Sequence, residues 1–290
     1  MPTVSVCIPA YEQPQFFRRS LRSVLEQEFT DFEVVVTDDS RDDGVLSVVR
    51  ELWDERVTYI KNPVRRGSPE NWNVAVEHST GELVKLIHHD DWLTSRESLG
   101  EFVRLLDASP EARFGFSASK SVDPTMGVKR IHYPAQQIDG LRRDPRLLLL
   151  GNWIGAPSAT IYRRSVMTQF DASLRWVVDI DFYLAVLCKW PRFVCTPEPL
   201  VSVTDGAPHQ VSNQVMQDPA IELSEWFRLY AKWAPRFPLR ADRARFLDSI
   251  LERGRVSWRD HRRLGLRGRG ARLFVIAGLL HDRGLLAKVP

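Results

Sequence analysis

The chain has 290 residues and a mass of 33.4 kDa, with 43% hydrophobic and 27% charged residues. These values are ordinary for a globular domain and exclude a disordered chain, a fibrous repeat and a polytopic membrane protein. The three cysteines, Cys7, Cys188 and Cys195, form no C-x-x-C pair, which argues against a disulfide framework or a structural zinc site. The first residues lack the basic and apolar regions of a signal peptide, so we expect a cytoplasmic location.

The net charge of +3 is unevenly distributed along the chain. Residues 251–290 contain nine Arg and one Lys against three acidic residues, a net charge of +7, which leaves −4 for residues 1–250. Apolar side chains alternate with the arginines over residues 239–290. Such a basic helical tail favours peripheral contact with an anionic membrane surface. A helical lid or a homodimer contact is the alternative, and no nucleic-acid-binding motif accompanies the tail.

Strand-like and helix-like segments alternate through the first 92 residues. Apolar runs predict four strands, and helical spacing of apolar residues predicts three helices between them. In chain order these seven segments are 4–9, 14–28, 32–36, about 44–53, 57–60, 70–78 and 83–87. Alternation of this kind indicates an α/β fold with a mostly parallel sheet and covering helices.

The pattern continues beyond residue 93 without a low-complexity linker and becomes helical from Asp218-Pro219 onward. The predicted helices and strands of this stretch are about 97–107, 114–119, 159–163, 180–189 and 193–203. We therefore expect one domain over residues 1–215 and a basic helical extension over 216–290.

Paired carboxylates follow two of the predicted strands, where parallel sheets bind their ligands. Asp90 and Asp91 come directly after the fourth strand. Adjacent carboxylates there suit Mg²⁺ or Mn²⁺, which keeps coordination positions open for phosphates. The structural alternative is an acidic helix N-cap. Asp38 and Asp39 end the second strand. A carboxylate there can accept a hydrogen bond from a ring N–H of a base such as uracil, and the alternative is an ordinary Asp-rich turn.

Two further carboxylates, Asp179 and Asp181, interrupt the apolar segment 176–184. Charges are costly in such a segment unless they face a polar cleft. A carboxylate in a cleft is a candidate general base, whereas a capping pair at a helix start is the alternative. Tyr11, at the end of the first strand, offers an aromatic face on which a base can stack.

Taken in order, these segments resemble glycosyltransferase family 2, the inverting nucleotide-sugar transferases of the GT-A fold. The resemblance covers residues 3 to about 215. Its matching segments are 4–12, 31–40, 67–73, 80–82, 85–93, 179–181 and 199–212. The resemblance implies a Rossmann-like, mostly parallel central sheet flanked by helices, followed here by a C-terminal helical extension. Within the domain it implies a nucleotide-binding half over residues 1–92 and an acceptor half over residues 93–215.

The resemblance also implies a role for ten residues of this chain. The nucleotide would be held by Pro9, Tyr11, Glu12, Asp39, Arg66 and Asp90. Mn²⁺ or Mg²⁺ would be bound by Asp91 with help from His209, and Asp179 would be the catalytic base with Asp181 as the fallback. Two positions depart from the family pattern. His88 stands where the first Asp of D-x-D is common, and Val178 stands where the Glu of E-D is common.

The implied activity is metal-dependent transfer of a sugar from a nucleoside-diphosphate sugar, UDP-linked by family habit, to a hydroxyl. The implied acceptor is a glycan or a polyprenyl-pyrophosphate-linked glycan, as in bacterial surface polysaccharide synthesis at the inner face of the membrane. A non-catalytic nucleotide-sugar or glycan-binding protein on the same fold is one alternative. A sugar nucleotidyltransferase is another, although residues 11–14 hold no Gly-rich basic loop. The released product separates the three: the transferase releases a nucleoside diphosphate, the binder releases nothing, and the nucleotidyltransferase releases pyrophosphate.

Overall fold

The structure is a computed structural model, and it describes residues 1–166, 168–210 and 219–233. The basic tail at 239–290 and Asp218, where the helical pattern of the sequence begins, lie outside the described residues. Within the described ranges, none of the helices combines the length and the apolar character that crossing a bilayer requires.

The first part of the chain builds parallel strands with helices between them. Its elements are β1 (Val4–Ala10), α1 (Pro14–Leu25), β2 (Phe32–Asp38), α2 (Gly44–Glu51), β3 (Val57–Lys61), α3 (Glu70–Glu77) and β4 (Leu83–Leu86). Strand β1 pairs in parallel with β2 and β4, and β2 pairs in parallel with β3. All seven predicted elements are therefore present. Helix α1 begins at Pro14, whose fixed φ and missing N–H suit the first helical turn.

The second part contains shorter and less regular elements. They are β5 (Trp92–Leu93), α4 (Ser98–Asp107), β6 (Phe114–Val122), β7 (Val128–His132), α5 (Ile138–Arg143), β8 (Thr160–Arg163), α6 (Val178–Lys189), β9 (Phe193–Thr204) and α7 (Pro219–Trp233). The sequence did not predict β5, β7 or α5. Strand β7 is exposed along most of its length, so it has no apolar face from which a strand can be predicted.

The strands form one sheet in the order β3-β2-β1-β4-β8-β6-β9-β5, with β7 paired to β6. The sheet is mixed, because β8 runs antiparallel to both β4 and β6, while β6 and β9 are parallel. The parallel arrangement expected from the sequence thus describes residues 1–92. Beyond them, the short turn between β6 and β7 permits only an antiparallel pair.

Apolar side chains pack on both faces of this sheet. One cluster joins β1 and β2 to α1, α2 and α4, and the other contains residues of α3, α5, α6 and α7. Helix α7 buries Trp226, Leu229, Tyr230 and Trp233 in the second cluster. Each fully buried large apolar side chain stabilises the fold by about 1.5–3 kcal/mol. Helix α7 is therefore part of the described core, and the predicted domain boundary at 215/216 falls among residues that are not described.

Candidate active site

A cleft of about 320 Å³ opens beyond the carboxyl ends of β1 and β4. Its walls come from segments that lie far apart in the sequence, from β1 to the residues after β9. Five of the sequence-predicted site residues line it: Pro9, Asp90, Asp91, Asp179 and His209. The fold thus brings the implied metal positions, the implied base Asp179 and two of the six implied nucleotide positions into one cleft. The other four nucleotide positions do not line it: Tyr11, Glu12, Asp39 and Arg66.

Asp91 is the most enclosed carboxylate of the cleft and is only 2% exposed. Its Oδ2 accepts a hydrogen bond from the Ser158 hydroxyl at 2.6 Å, and its Oδ1 accepts one from the Thr204 backbone N–H at 3.0 Å. Burial and the adjacent carboxylate of Asp90 raise the pKa of Asp91 well above its usual range. Asp91, which follows β4, is therefore bonded to the end of β9 through Oδ1 and to Ser158, which precedes β8, through Oδ2.

Asp90 differs from its neighbour in its partners. Its Oδ2 accepts hydrogen bonds from Nε2 of His209 at 3.1 Å and from Nε2 of Gln210 at 3.3 Å. Burial alone would raise the pKa of Asp90, but the hydrogen bond from His209 and the nearby His88 and His89 hold it below its usual range. Asp90 therefore favours the ionised form and carries negative charge into the cleft.

His88 lies beside the two carboxylates and faces the cleft. Its ring packs against Trp72 with ring centroids 4.7 Å apart, and its Nδ1 is 3.8 Å from Oδ2 of Asp91. Burial lowers the pKa of His88 to about 4, so the imidazole is neutral at pH 7. Among the described residues, Nε2 of His88 has no hydrogen-bond partner. A neutral imidazole with an unpaired nitrogen is a competent metal ligand.

The donors of His88, Asp90 and Asp91 fit a divalent cation. One ligand atom from each lies within 4.8 Å of those from the other two. Carboxylate oxygens suit Mg²⁺ and Mn²⁺, and an imidazole nitrogen shifts the preference toward the transition metal. The histidine at position 88 thus supplies a potential ligand where the family pattern has a carboxylate.

Asp39 lies at the end of β2 and holds the loop that follows β3. Its Oδ1 accepts hydrogen bonds from Nδ2 of Asn62 at 2.7 Å and from the Arg66 backbone N–H at 3.1 Å. Its Oδ2 accepts one from the Gly67 N–H at 2.7 Å. Arg66 therefore meets this carboxylate through its backbone, while its guanidinium is not part of the contact.

Tyr11 and Glu12 form the turn between β1 and α1. The Arg65 guanidinium lies over the Tyr11 ring, 4.1 Å from its centroid. Glu12 has a φ of 53°, in the left-handed region, and its N–H donates to the Ser40 hydroxyl at 2.6 Å. The turn is thus tied to the end of β2, which places Tyr11 and Asp39 at neighbouring strand ends.

Asp179 lies in the first turn of α6 and reaches the cleft wall. It accepts a hydrogen bond from Nδ2 of Asn152 and another from the Ile180 N–H at 2.8 Å. Burial raises the pKa of Asp179 to about 7 despite these bonds. A carboxylate that is half protonated near neutral pH is suited to accept a proton from a hydroxyl.

A second cavity of about 400 Å³ adjoins the first and is also lined by Asp179. Asp179, Trp176 and Gln210 line both cavities, whereas Arg130 and His132 of β7 line only the second. Asp179 therefore faces two spaces at once, which is the geometry required of a base that acts between two substrates.

Asp181 does not face either cavity. It is 2% exposed and accepts hydrogen bonds from Nζ of Lys232 at 2.7 Å and Nε1 of Trp233 at 2.8 Å, both on α7. The segment is helical from Val178, so a residue two positions after Asp179 points about 200° away around the helix axis. Of the two carboxylates, Asp179 is therefore the one that lines the cavities.

The sequence profile described as Glycosyl transferase family 2 matches residues 5–170, more than half of the chain. The chain belongs to glycosyl transferase family 2. The family match starts in β1 and includes Asp39, Asp90 and Asp91, so it contains the cleft's strand-end residues.

Two relatives illustrate the family match. A Mycobacterium tuberculosis protein described as uncharacterized protein MT1568 is 30% identical over 200 residues, which are 65% of this chain and 63% of that protein. The GalNAc(5)-diNAcBac-PP-undecaprenol beta-1,3-glucosyltransferase of Campylobacter jejuni is 33% identical over 98 residues, 33% of this chain and 32% of that protein. The match thus spans less than two thirds of the length of either relative.

Among solved structures, TarS of S. aureus in complex with UDP-GlcNAc aligns with a TM-score of 0.61 and 18% identity. The alignment covers 97% of this chain and 92% of that one. Likeness at this identity concerns the fold alone, and it confirms the predicted GT-A fold.

Several residues that organise the family 2 cleft were missed by the sequence reasoning. Asn152 contacts the carboxylate of Asp179, Thr204 contacts Asp91, and Gln210 contacts Asp90. Lys85 of β4 is fully buried, and its ammonium donates to the Ser158 carbonyl beneath Asp91. A lysine within the apolar run 83–87 is the one visible signal. The other three are ordinary polar residues until folding brings them to the cleft.

Proposed function

We propose that this protein is a glycosyltransferase that transfers a sugar from a UDP-sugar to an acceptor hydroxyl with inversion, assisted by a divalent metal ion. The acceptor class we propose is a glycan or a polyprenyl-pyrophosphate-linked sugar. The observation that carries the proposal is the position of Asp179 on a wall shared by two cavities, one of which holds the acidic cluster. The undecaprenol-linked substrate in the name of the Campylobacter relative and the UDP-GlcNAc bound to TarS support the substrate classes.

The nucleobase would bind at the ends of β1 and β2. A carboxylate has about four lone-pair sites, and three of those of Asp39 are occupied by Asn62, Arg66 and Gly67. One site on Oδ2 is left for a ring N–H of the base. The Arg65 guanidinium covers one face of Tyr11, so the base would stack on the other face or displace it. Pro9 and Glu12 would shape this end of the pocket.

The cation would be held chiefly by Asp90, with His88 and His209 beside it. Asp90 carries negative charge, whereas both oxygens of Asp91 already accept hydrogen bonds, from Ser158 and from Thr204 of β9. This assigns to Asp90 the main role that the resemblance gives to Asp91, and it makes Asp91 a residue that positions the cluster. A divalent cation at this place would neutralise charge on the departing diphosphate.

The transfer would proceed in one displacement. The acceptor hydroxyl in the second cavity attacks the anomeric carbon, and its proton passes to the carboxylate of Asp179. The new carbon–oxygen bond forms as the bond to the diphosphate breaks, and the electron pair leaves with UDP. Because attack and departure occur on opposite faces, the anomeric configuration inverts. Asp179 then releases its proton to solvent.

The released product tests the proposal. The protein is incubated with UDP-glucose, UDP-galactose or UDP-GlcNAc, Mn²⁺ and a short polyprenyl-diphosphate-linked GlcNAc, and UDP release is measured. We expect acceptor-dependent UDP release for one donor, with an inverted linkage in the product by NMR. Pyrophosphate release would identify a nucleotidyltransferase. Binding of UDP without turnover over a panel of glycan acceptors would identify a non-catalytic binder.

Peripheral membrane contact through the basic tail belongs to the same proposal and rests on the charge of +7 over residues 251–290. Basic residues near an anionic surface contribute about 1 kcal/mol each. We expect the full chain to sediment with phosphatidylglycerol vesicles, but not with phosphatidylcholine vesicles, and to be released by about 0.5 M salt. Equal binding to both vesicle types would contradict the electrostatic contact.

A further inference from the structure

We propose that Glu225 of α7 is a positioning residue for the catalytic base, because it fixes the segment that carries Trp176 and Asp179 into the cleft. The inference rests on the proposed role of Asp179. It assigns a part in catalysis to a helix that the sequence places in the C-terminal extension.

Glu225 is buried, with 4% of its surface exposed, and its carboxylate collects three consecutive backbone N–H groups. It accepts hydrogen bonds from Arg175 at 2.9 Å, Trp176 at 2.6 Å and Val177 at 3.2 Å. These groups lie directly before α6, which begins at Val178. Buried N–H groups at a helix start need acceptors, and a carboxylate there also interacts favourably with the helix dipole.

The helix does not supply this acceptor itself. Its N-cap residue is Val177, which has no side-chain oxygen and makes no side-chain cap. Glu225, 48 residues further along the chain, therefore performs the function of an N-cap from a neighbouring helix. Since Asp179 lies two residues after the segment that Glu225 holds, the direction of its carboxylate depends on that contact.

A second contact keeps α7 in register with α6. Asp181 of α6 accepts hydrogen bonds from Lys232 and Trp233 near the other end of α7. Each helix thus provides a carboxylate that accepts hydrogen bonds from the other: Glu225 of α7 binds the segment before α6, and Asp181 of α6 binds the end of α7. Only the Glu225 contact touches the segment that lines the cleft, because Arg175 and Trp176 line the cavity and Lys232 does not.

The test compares Glu225→Gln with Lys232→Met in the full chain. Glutamine keeps the shape of the side chain, but it offers one acceptor oxygen and turns an N–H group toward the backbone donors. Misplacement of a reacting group by about 1 Å can cost about 100-fold in rate. We expect kcat to fall about 10- to 100-fold in Glu225→Gln. The Kd for UDP should stay unchanged, because the proposed nucleobase site lies at the ends of β1 and β2. Lys232→Met loosens the other end of α7 and should keep kcat within about threefold.

The outcomes separate this inference from the proposed function. Equal losses of kcat in the two variants, in proportion to their losses in Tm, would mean that Glu225 has only a structural role. Full activity of Glu225→Gln alongside inactive Asp179→Asn would overturn the positioning role and leave the base intact. Full activity of Asp179→Asn would instead overturn the proposed function. If Glu225→Gln does not fold, Glu225→Asp is measured in its place. An unchanged kcat in that folded variant contradicts the inference.

Discussion

At the scale of single residues, the proton affinity of Asp179 connects its environment to its chemistry. Burial raises its pKa to about 7, and a general base acts in its deprotonated form. We therefore expect kcat/KM to rise with pH up to about 7 and then to level off. Asp179→Asn should lower kcat by about 100- to 10,000-fold while UDP binding is retained. Initial rates from pH 5.5 to 8.5 measure both effects. A flat profile for the native protein would exclude titration of this base.

Because of the same burial, the ionised form of Asp179 should destabilise the fold at alkaline pH. Its folded-state pKa lies above the unfolded value, so the contribution to stability is present at low pH and is lost as pH rises through about 7. The pKa shift sets an upper bound of about 4 kcal/mol on the stability that is lost when Asp179 ionises. Contact with solvent at the cleft and the loss of one hydrogen-bond acceptor reduce the expected gain of Asp179→Asn to about 1 kcal/mol at pH 8. Urea unfolding at pH 5 and pH 8 tests this, and a gain at pH 5 alone would contradict the sign.

The two adjacent carboxylates should respond differently to the same change. Asp90 holds the charge that faces the cleft, whereas Asp91 joins β4 to β9. We expect Asp90→Asn to lose the larger share of Mn²⁺ affinity with little change in Tm. Asp91→Asn should lose about 1–3 kcal/mol of unfolding free energy, because a buried hydrogen-bond pair is broken. Titration calorimetry measures the Mn²⁺ affinity of both variants, and thermal unfolding measures their stability. The reverse order of effects would return the main metal role to Asp91.

At the scale of elements, the start of β4 depends on a close approach to β1. A Cβ on Gly81 would lie 2.7 Å from the Ser5 backbone nitrogen and 2.8 Å from the Val4 carbonyl carbon. Backbone cannot move aside as a flexible side chain does, so Gly81→Ala should cost about 2–3 kcal/mol. Because β4 leads to Asp90, the variant should also bind Mn²⁺ less tightly.

Gly67→Ala is the matched control for this variant. Gly67 has a φ of 77° but no atom within 4 Å of its added Cβ, so only the backbone conformation is penalised, by about 1 kcal/mol. Chemical unfolding of the two variants compares them directly. Equal losses would show that steric contact with β1 is not what limits position 81.

The elements also indicate what a sequence can and cannot predict. Strands β1, β2 and β4 were predictable because each is mostly apolar and buried on both faces. Strand β7 was not, because its residues face solvent and it is held by backbone pairing to β6. The mixed pairing of β8 could not be predicted either, since four residues do not specify which neighbours they will find.

At the scale of the whole molecule, the site residues that can be predicted from the sequence are those that come directly after a buried strand. The position of Asp90 in the cleft could be predicted because polar residues after a buried strand stand out in the sequence. The choice between Asp179 and Asp181 was open, because it depends on which face of α6 meets α7. The contacts of Asn152, Thr204 and Glu225 join residues 27, 113 and 48–50 positions apart, and no local pattern encodes such pairs.

Because the cleft is built from both parts of the domain, a ligand there should stabilise the chain as one unit. Strand ends of residues 1–92 meet Asp179 and His209 across the cavity. A ligand at 100 times its Kd adds about 2.7 kcal/mol to the unfolding free energy. For a domain of this size we expect UDP with Mn²⁺ to raise Tm by about 5 °C in a single transition, and UDP alone to raise it less. Differential scanning calorimetry measures the shift, and Asp90→Asn should remove the metal-dependent part. Two transitions, of which only one moves with ligand, would mean that the two parts of the cleft unfold separately.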